Sequence, residues 1–149
     1  MKGYSMSQQL APEPTAVCAA NLFASPNRSG ETILIGGLMP NETEWVQTLT
    51  CRAARALWFE LTKLLFPDKS AEVIGHVATM RSLPPFQAEV TTVTTWTFVS
   101  EREGGGVLVS GWMGKPGWSL HLSAFEVYRF WAALDSALFP SGWSVKRQD

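Results

Sequence analysis

The residues best suited to chemistry are two histidines and two cysteines, and their spacing favours neither a catalytic nor a metal centre. His76 and His121 lie far apart in the chain, and neither has a carboxylate or a cysteine at the spacing of metal ligands. A zinc site needs three or four convergent ligands, so we expect no metal site. Cys18 and Cys51 are the only cysteines and form no CxxC motif, which is typical of reduced thiols in a cytosolic protein.

Paired acidic residues are the second candidate for chemistry. Glu42 and Glu44, and likewise Glu101 and Glu103, are separated by one residue and fall in predicted turns. Because acid–base catalysis needs carboxyl groups in a buried or shaped site, we interpret both pairs as solvated loop charges. The glycine run 104–106 lacks a Lys-Ser/Thr ending, so we predict a hairpin turn and not a phosphate-binding loop. GxSxG, HExxH and dinucleotide-binding motifs are also missing from the sequence, and we predict a protein that is not an enzyme and uses no cofactor.

A stretch that occurs twice dominates the rest of the chain. Residues 45–67 align without a gap with residues 118–140, and 7 of the 23 aligned positions are identical. Chance would match roughly one position in fifteen, so we interpret the chain as an internal duplication with an offset of 73 residues. The identical pairs are Trp45/Trp118, Leu49/Leu122, Trp58/Trp131, Leu61/Leu134, Leu65/Leu138, Phe66/Phe139 and Pro67/Pro140.

Both copies end in a predicted helix. Thr50 is a suitable N-cap for the first helix, and Ser123 with Glu126 forms a capping box for the second. Each helix carries an apolar stripe at helical spacing and ends before a proline. The stripes are Ala54, Leu57, Trp58, Leu61, Leu64 and Leu65 in the first helix, and Val127, Phe130, Trp131, Leu134, Ala137 and Leu138 in the second.

The segments between the turns and helices have the composition of strands. The clearest is 88–100, which is dominated by Val and Thr and also contains Trp96 and Phe98. The segment 71–80 fits a strand or a short helix, and its β-branched residues favour a strand. The predicted strands are 15–25, 31–39, 45–49, 71–80, 88–100, 107–113 and 118–122.

These elements predict an α+β fold of two tandem repeats, βββα and ββββα, with antiparallel sheets and one packing helix per repeat. We expect one domain over residues 15–140, with repeats at about 15–67 and 71–140 related by a pseudo-two-fold axis. Residues 1–14 are predicted to be a flexible lead and residues 141–149 a tail. In the predicted strands 31–39 and 107–113, the side chains on both faces are largely apolar. We therefore expect both faces of these strands to be covered.

This tandem of antiparallel sheets, each followed by a helix, resembles the duplicated fold of the PUR-alpha and Whirly group of single-stranded nucleic-acid binders. The resemblance is one of topology and covers about residues 15–140. It implies that aromatic side chains on an open sheet stack on bases while nearby basic side chains contact phosphates.

Six residues are the candidates for such a binding surface. Trp96 and Trp112 lie on predicted strands and have no tryptophan counterpart in the first copy, and His121 lies on the strand row opposite the one that faces the helix. Basic residues in the surrounding loops complete the set. These are Arg81, Arg102 and Lys115.

The charge of the chain favours a protein as the partner. Its 12 basic and 13 acidic residues give a net charge of −1, and the pI is near 6.1, so no overall field attracts nucleic acid. We therefore predict a cytoplasmic, non-enzymatic binding or assembly domain that acts through protein–protein contacts, with another protein or with itself as a homodimer, and that does not bind a membrane. The alternative is a PUR/Whirly-like protein that binds single-stranded DNA or RNA.

Overall fold

The computed structural model describes residues 15–27, 30–69 and 92–139. Over this part of the chain the fold is α+β, as the sequence predicts, with two helices and two sheets. A short 3-10 turn, Pro67–Lys69, follows the first helix. The strands are β1 (Ala16–Cys18), β2 (Ala20–Pro26), β3 (Thr32–Leu38), β4 (Glu44–Thr50), β5 (Trp96–Glu101), β6 (Val107–Trp112) and β7 (Pro116–Leu122), and the helices are α1 (Cys51–Leu65) and α2 (Ala124–Leu138).

Two predicted strands differ from the expectation, one by being divided and the other by starting later. The segment 15–25 is divided at Ala19, because β1 and β2 belong to different sheets. The segment 88–100 becomes a strand only at Trp96, and its residues before 92 lie outside the described part. Thr94 instead pairs as an isolated parallel bridge with Leu49 on β4. The predicted strand 71–80, the lead 1–14 and the tail 141–149 also lie outside the described residues.

One of the two sheets combines strands from both halves of the chain. One sheet has the order β2-β3-β4 and is antiparallel, and the other has the order β1-β7-β6-β5. In the second sheet β1 is parallel to β7, whereas β5, β6 and β7 are antiparallel. Strand β1, from the first half of the chain, therefore joins the sheet of the second half and links the two halves.

The two three-stranded antiparallel units share one register. Leu49 on β4 pairs with Ile33 on β3, and Leu122 on β7 pairs with Val107 on β6. Leu49 and Leu122 are identical residues at aligned positions of the segments 45–67 and 118–140. The ladders next to the helices are thus built alike in both halves.

Each helix begins at the predicted cap. The Thr50 hydroxyl accepts the backbone N–H of Ala53 at 3.1 Å. At α2 the Ser123 hydroxyl accepts the N–H of Glu126, and the Glu126 carboxylate accepts the N–H of Ser123, both at 3.3 Å. These bonds satisfy N–H groups that the first turn of a helix leaves without partners.

Replacing Ser123 with alanine should lower the free energy of unfolding by about 1 kcal/mol, because α2 loses its cap. Urea denaturation of the two proteins measures the difference. Ser136→Ala is the matched control, since Ser136 is exposed on the same helix and alanine has the higher helix propensity. An equal loss of stability in both variants would show that the cap does not stabilise α2.

The apolar stripes of the two helices form the centre of the core. Leu57, Trp58 and Leu61 on α1 are fully buried, as are Trp131 and Leu134 on α2. Each helix also crosses to the other half, since α2 packs along β2 and α1 along β5. The prediction that the stripes face the interior is confirmed, and the helices join the two sheets into one core.

Hydrogen bonds between α1 and α2 form a reciprocal pair in this core. The indole N–H of Trp58 donates to Asp135 Oδ1 at 3.1 Å, and the indole N–H of Trp131 donates to Thr62 Oγ1 at 2.8 Å. Thr62 and Asp135 occupy aligned positions of the segments 45–67 and 118–140, and both are fully buried. Because a buried indole N–H needs an acceptor, these bonds hold the two helices in one register.

Candidate binding surface

The outer face of strands β5 to β7 is the surface on which the predicted site residues meet. Val107, Val109 and Leu120 point into the core, so the alternate residues of these strands point outward. We call this outward row the aromatic face. It consists of Trp96, Phe98, Ser100, Leu108, Ser110, Trp112, Ser119 and His121.

Three aromatic side chains occupy one end of the aromatic face. Trp96 on β5 is directly opposite Trp112 on β6, and the rings of Trp96 and Phe98 meet edge to face with centroids 5.9 Å apart. Phe98 is 49% exposed. We expected both faces of β6 to be covered, but Leu108 and Trp112 are only partly buried. This sheet therefore presents apolar surface to solvent.

A groove of about 340 Å³ lies on this end of the face. Phe98, Trp112 and Pro116 supply its apolar wall, while Ser110 and Ser119 supply hydroxyl groups. These two hydroxyls are 3.2 Å apart. The indole nitrogen of Trp112 is buried and has no hydrogen-bond partner among the described residues. The groove thus combines apolar surface with a few polar groups, as protein-binding and ligand-binding sites do.

The aromatic face carries no charged side chain at its outward strand positions. The charges lie in the turns at its two ends. Lys115 is in the β6–β7 turn beside the groove, whereas Glu101, Arg102 and Glu103 lie at or next to the β5–β6 turn. Since β6 is six residues long, the two turns are separated by about 17 Å. In the described part of the chain, two basic and two acidic side chains at these turns balance, so the turns add no net charge to the face.

The structure brings together only part of the predicted site. Trp96, Trp112 and Lys115 lie at one end of the aromatic face, and Arg102 lies at the other. His121 is on the same face, opposite Leu108. Arg81 lies outside the described residues.

Sequence reasoning missed a contact between Cys18 and His121. The parallel pairing of β1 with β7 places Cys18 opposite His121, and Cys18 Sγ lies 3.7 Å from His121 Nδ1. The two residues are 103 positions apart, so no spacing in the sequence indicates the pair. No group of three or more His, Cys, Asp or Glu side chains is placed to hold a metal ion in the part of the chain that the structure describes.

The other sheet has a less aromatic outer face. Phe23 lies over Gly36, where an added Cβ would meet the Phe23 ring at 2.6 Å. Leu38 and Val46 are exposed on this face. Trp112, which the register places at the position of Leu38, is therefore a feature of the second sheet alone.

Neither the protein-family models nor the curated protein sequences that were compared with the chain give a match. Among the described residues, no helix has both the length and the apolar character that crossing a membrane requires.

Proposed function

We propose that this chain is a non-catalytic binding domain that acts through protein–protein contacts, and that the aromatic face is its binding surface. The observation that carries the proposal is an open sheet face that presents Trp96, Phe98 and Trp112 and has no outward charge. Aromatic residues are enriched and charged residues depleted at the centres of protein interfaces. A second copy of the chain is the partner to be tested first, and the cytoplasm is the proposed compartment.

Trp112 is the proposed anchor of this interface. It lines the groove together with Phe98 and Pro116, and its N–H has no acceptor within the described structure. A partner that covers the groove would bury the part of the indole ring that is still exposed. Tryptophans in such positions often supply a large share of the binding energy.

Single-stranded DNA or RNA is the second candidate ligand. The pair of partly exposed tryptophans, Trp96 and Trp112, beside Lys115 favours it, because bases stack on accessible aromatic rings and a nearby lysine attracts phosphate. The resemblance of the predicted topology to the PUR and Whirly group supports the same alternative. The charges around Arg102 weaken this alternative, because Glu101 and Glu103 flank it. A phosphate backbone bound there would therefore meet little net positive charge.

We also propose that the two halves descend from one duplicated βββα unit and are related by a pseudo-two-fold axis. The shared register of the antiparallel strands supports this proposal. The reciprocal bonds from Trp58 to Asp135 and from Trp131 to Thr62 support it as well. In this interpretation the second copy acquired Trp112, and with it a binding surface.

The Trp112→Ala variant tests the proposed function. The wild-type protein should form a dimer in solution, and the variant should dissociate with a dimer affinity about 30-fold weaker, as expected for an interface anchor worth about 2 kcal/mol. Multi-angle light scattering over a range of concentrations measures the change. High salt should change the dimer affinity little, because the face has no net charge.

Phe125→Ala is the matched control, since Phe125 is an exposed aromatic residue on α2, away from the aromatic face. Its dimer affinity should equal that of the wild type. Fluorescence anisotropy with a labelled single-stranded oligonucleotide at low and high salt tests the alternative. A monomeric wild type that binds the oligonucleotide, with binding lost in salt and in Trp112→Ala, would replace the protein-binding proposal with nucleic-acid binding.

A further inference from the structure

We infer that Cys18 and His121 form a thiol-modification site that reacts with small disulfides. Cys18 is exposed, and its Sγ lies 3.7 Å from His121 Nδ1, within hydrogen-bond reach for sulfur. A thiol next to an imidazole can be activated as a nucleophile, because the ring accepts the thiol proton. His121 also belongs to the aromatic face, whereas Cys18 lies on β1 at the edge of the same sheet.

The second cysteine provides a contrast within the same chain. Cys51 Sγ donates a hydrogen bond of 2.9 Å to the backbone carbonyl of Gly30. A carbonyl oxygen accepts a hydrogen bond but does not take the proton, so this contact supplies no general base to the thiol. Cys51 is also only partly exposed. The two thiols therefore have opposite environments, one beside a base and the other donating to the backbone.

The surroundings of Cys18 indicate which disulfides it would take. Cys18 lines a groove of about 400 Å³ that also contains Glu42 and Glu126. Glu126 is held by the capping box at Ser123, while Glu42 is exposed. Two carboxylates in the same groove as the thiol favour a cationic disulfide over an anionic one.

The proposed reaction is a thiol–disulfide exchange. Cys18 Sγ gives its proton to Nδ1 of His121, in the tautomer whose Nε2 carries the ring hydrogen, and the thiolate attacks one sulfur of the disulfide. The S–S bond of the reagent breaks, and the second sulfur leaves with the electron pair and takes the proton back from the imidazole. Cys18 is oxidised to a mixed disulfide, while the departing half of the reagent is reduced to a thiol.

Reaction of the folded full-length chain with cystamine, a cationic disulfide, tests the site. Mass spectrometry follows the adduct at neutral pH in Cys51→Ser, which retains only Cys18, and in Cys18→Ser, which retains only Cys51. Cys18 should react faster. Adding His121→Gln to Cys51→Ser should slow Cys18 by about tenfold, below the range of about 10²–10⁴-fold for general bases in catalytic sites, because glutamine cannot take the proton.

Two controls separate the roles of the base and of the carboxylates. In denaturant all variants should react at one rate, and circular dichroism should show that His121→Gln is folded. Glu42→Gln should slow cystamine and accelerate the anionic oxidised glutathione, with both effects reduced at high salt. Equal rates for Cys18 and Cys51 would overturn the proposal, as would an unchanged rate in a folded His121→Gln variant. The comparison of the two thiols leaves His121 in place, so it holds even if His121→Gln does not fold.

Discussion

Replacing Trp131 with alanine should lower the free energy of unfolding by about 3–5 kcal/mol, the usual cost of deleting a buried large aromatic side chain. Trp131 is fully buried, and its ring contacts that of Phe66 with centroids 4.9 Å apart. Its indole N–H donates to Thr62 on the facing helix. The substitution therefore removes packing and a bond between α1 and α2.

Urea denaturation measures this loss of stability. Two further variants show how much of it comes from the aromatic ring and whether it is specific to the buried face of α2. Trp131→Phe retains an aromatic ring but no N–H, so its cost should lie between those of the wild type and Trp131→Ala. Phe125→Ala, on the same helix, changes a side chain that is 69% exposed and should stay within about 0.5 kcal/mol of the wild type. If Trp131→Ala were as harmless as Phe125→Ala, the stripe of α2 would not be the core face.

Replacing Gly111 with alanine should cost about 1–3 kcal/mol, the range for overpacking a core. A Cβ at this position would overlap the indole ring of Trp118. That ring cannot easily move, because its N–H donates to Thr94 Oγ1 at 2.7 Å and its centroid lies 5.5 Å from that of Trp45 in an edge-to-face contact. The new methyl group would disturb the point where the inner faces of the two sheets meet.

Gly117→Ala is the matched control, since Gly117 lies on the neighbouring strand and its added Cβ would meet the sulfur of Met113. A methionine side chain is flexible and can move aside at small cost. Thermal denaturation followed by tryptophan fluorescence compares the two variants. A larger loss of stability in Gly117→Ala than in Gly111→Ala would contradict the view that Trp118 is fixed in place.

The local elements could be predicted because their signals are local. A hydroxyl residue at Thr50 or Ser123 satisfies N–H groups only a few positions away, and the apolar stripe of a helix reflects its own period. The aromatic residues Trp96 and Trp112 were also found from strand composition, and the β5–β6 pairing places them side by side. Their location on one surface follows from a hairpin, which is a short-range structure.

The buried polar contacts could not be predicted in this way. Asp135 is polar and lies on a helix, yet it is fully buried because it accepts the indole N–H of Trp58 from the facing helix. Thr94 was predicted to lie within a strand, but its backbone pairs with β4 and its hydroxyl accepts the N–H of Trp118. Each of these residues owes its position to a partner that is distant in the chain.

The sequence by itself determined the α+β class, the bounds and caps of both helices, and the candidate aromatic residues, since these depend on neighbours within a few positions. Only the tertiary structure decided that β1 joins the sheet of the second half, that α2 packs along β2, and that Cys18 meets His121. Parallel pairing with β7 aligns residues 103 positions apart. The sequence of a strand as short as β1 does not indicate which strand it pairs with. Its pairing depends on the surface that the rest of the fold leaves open.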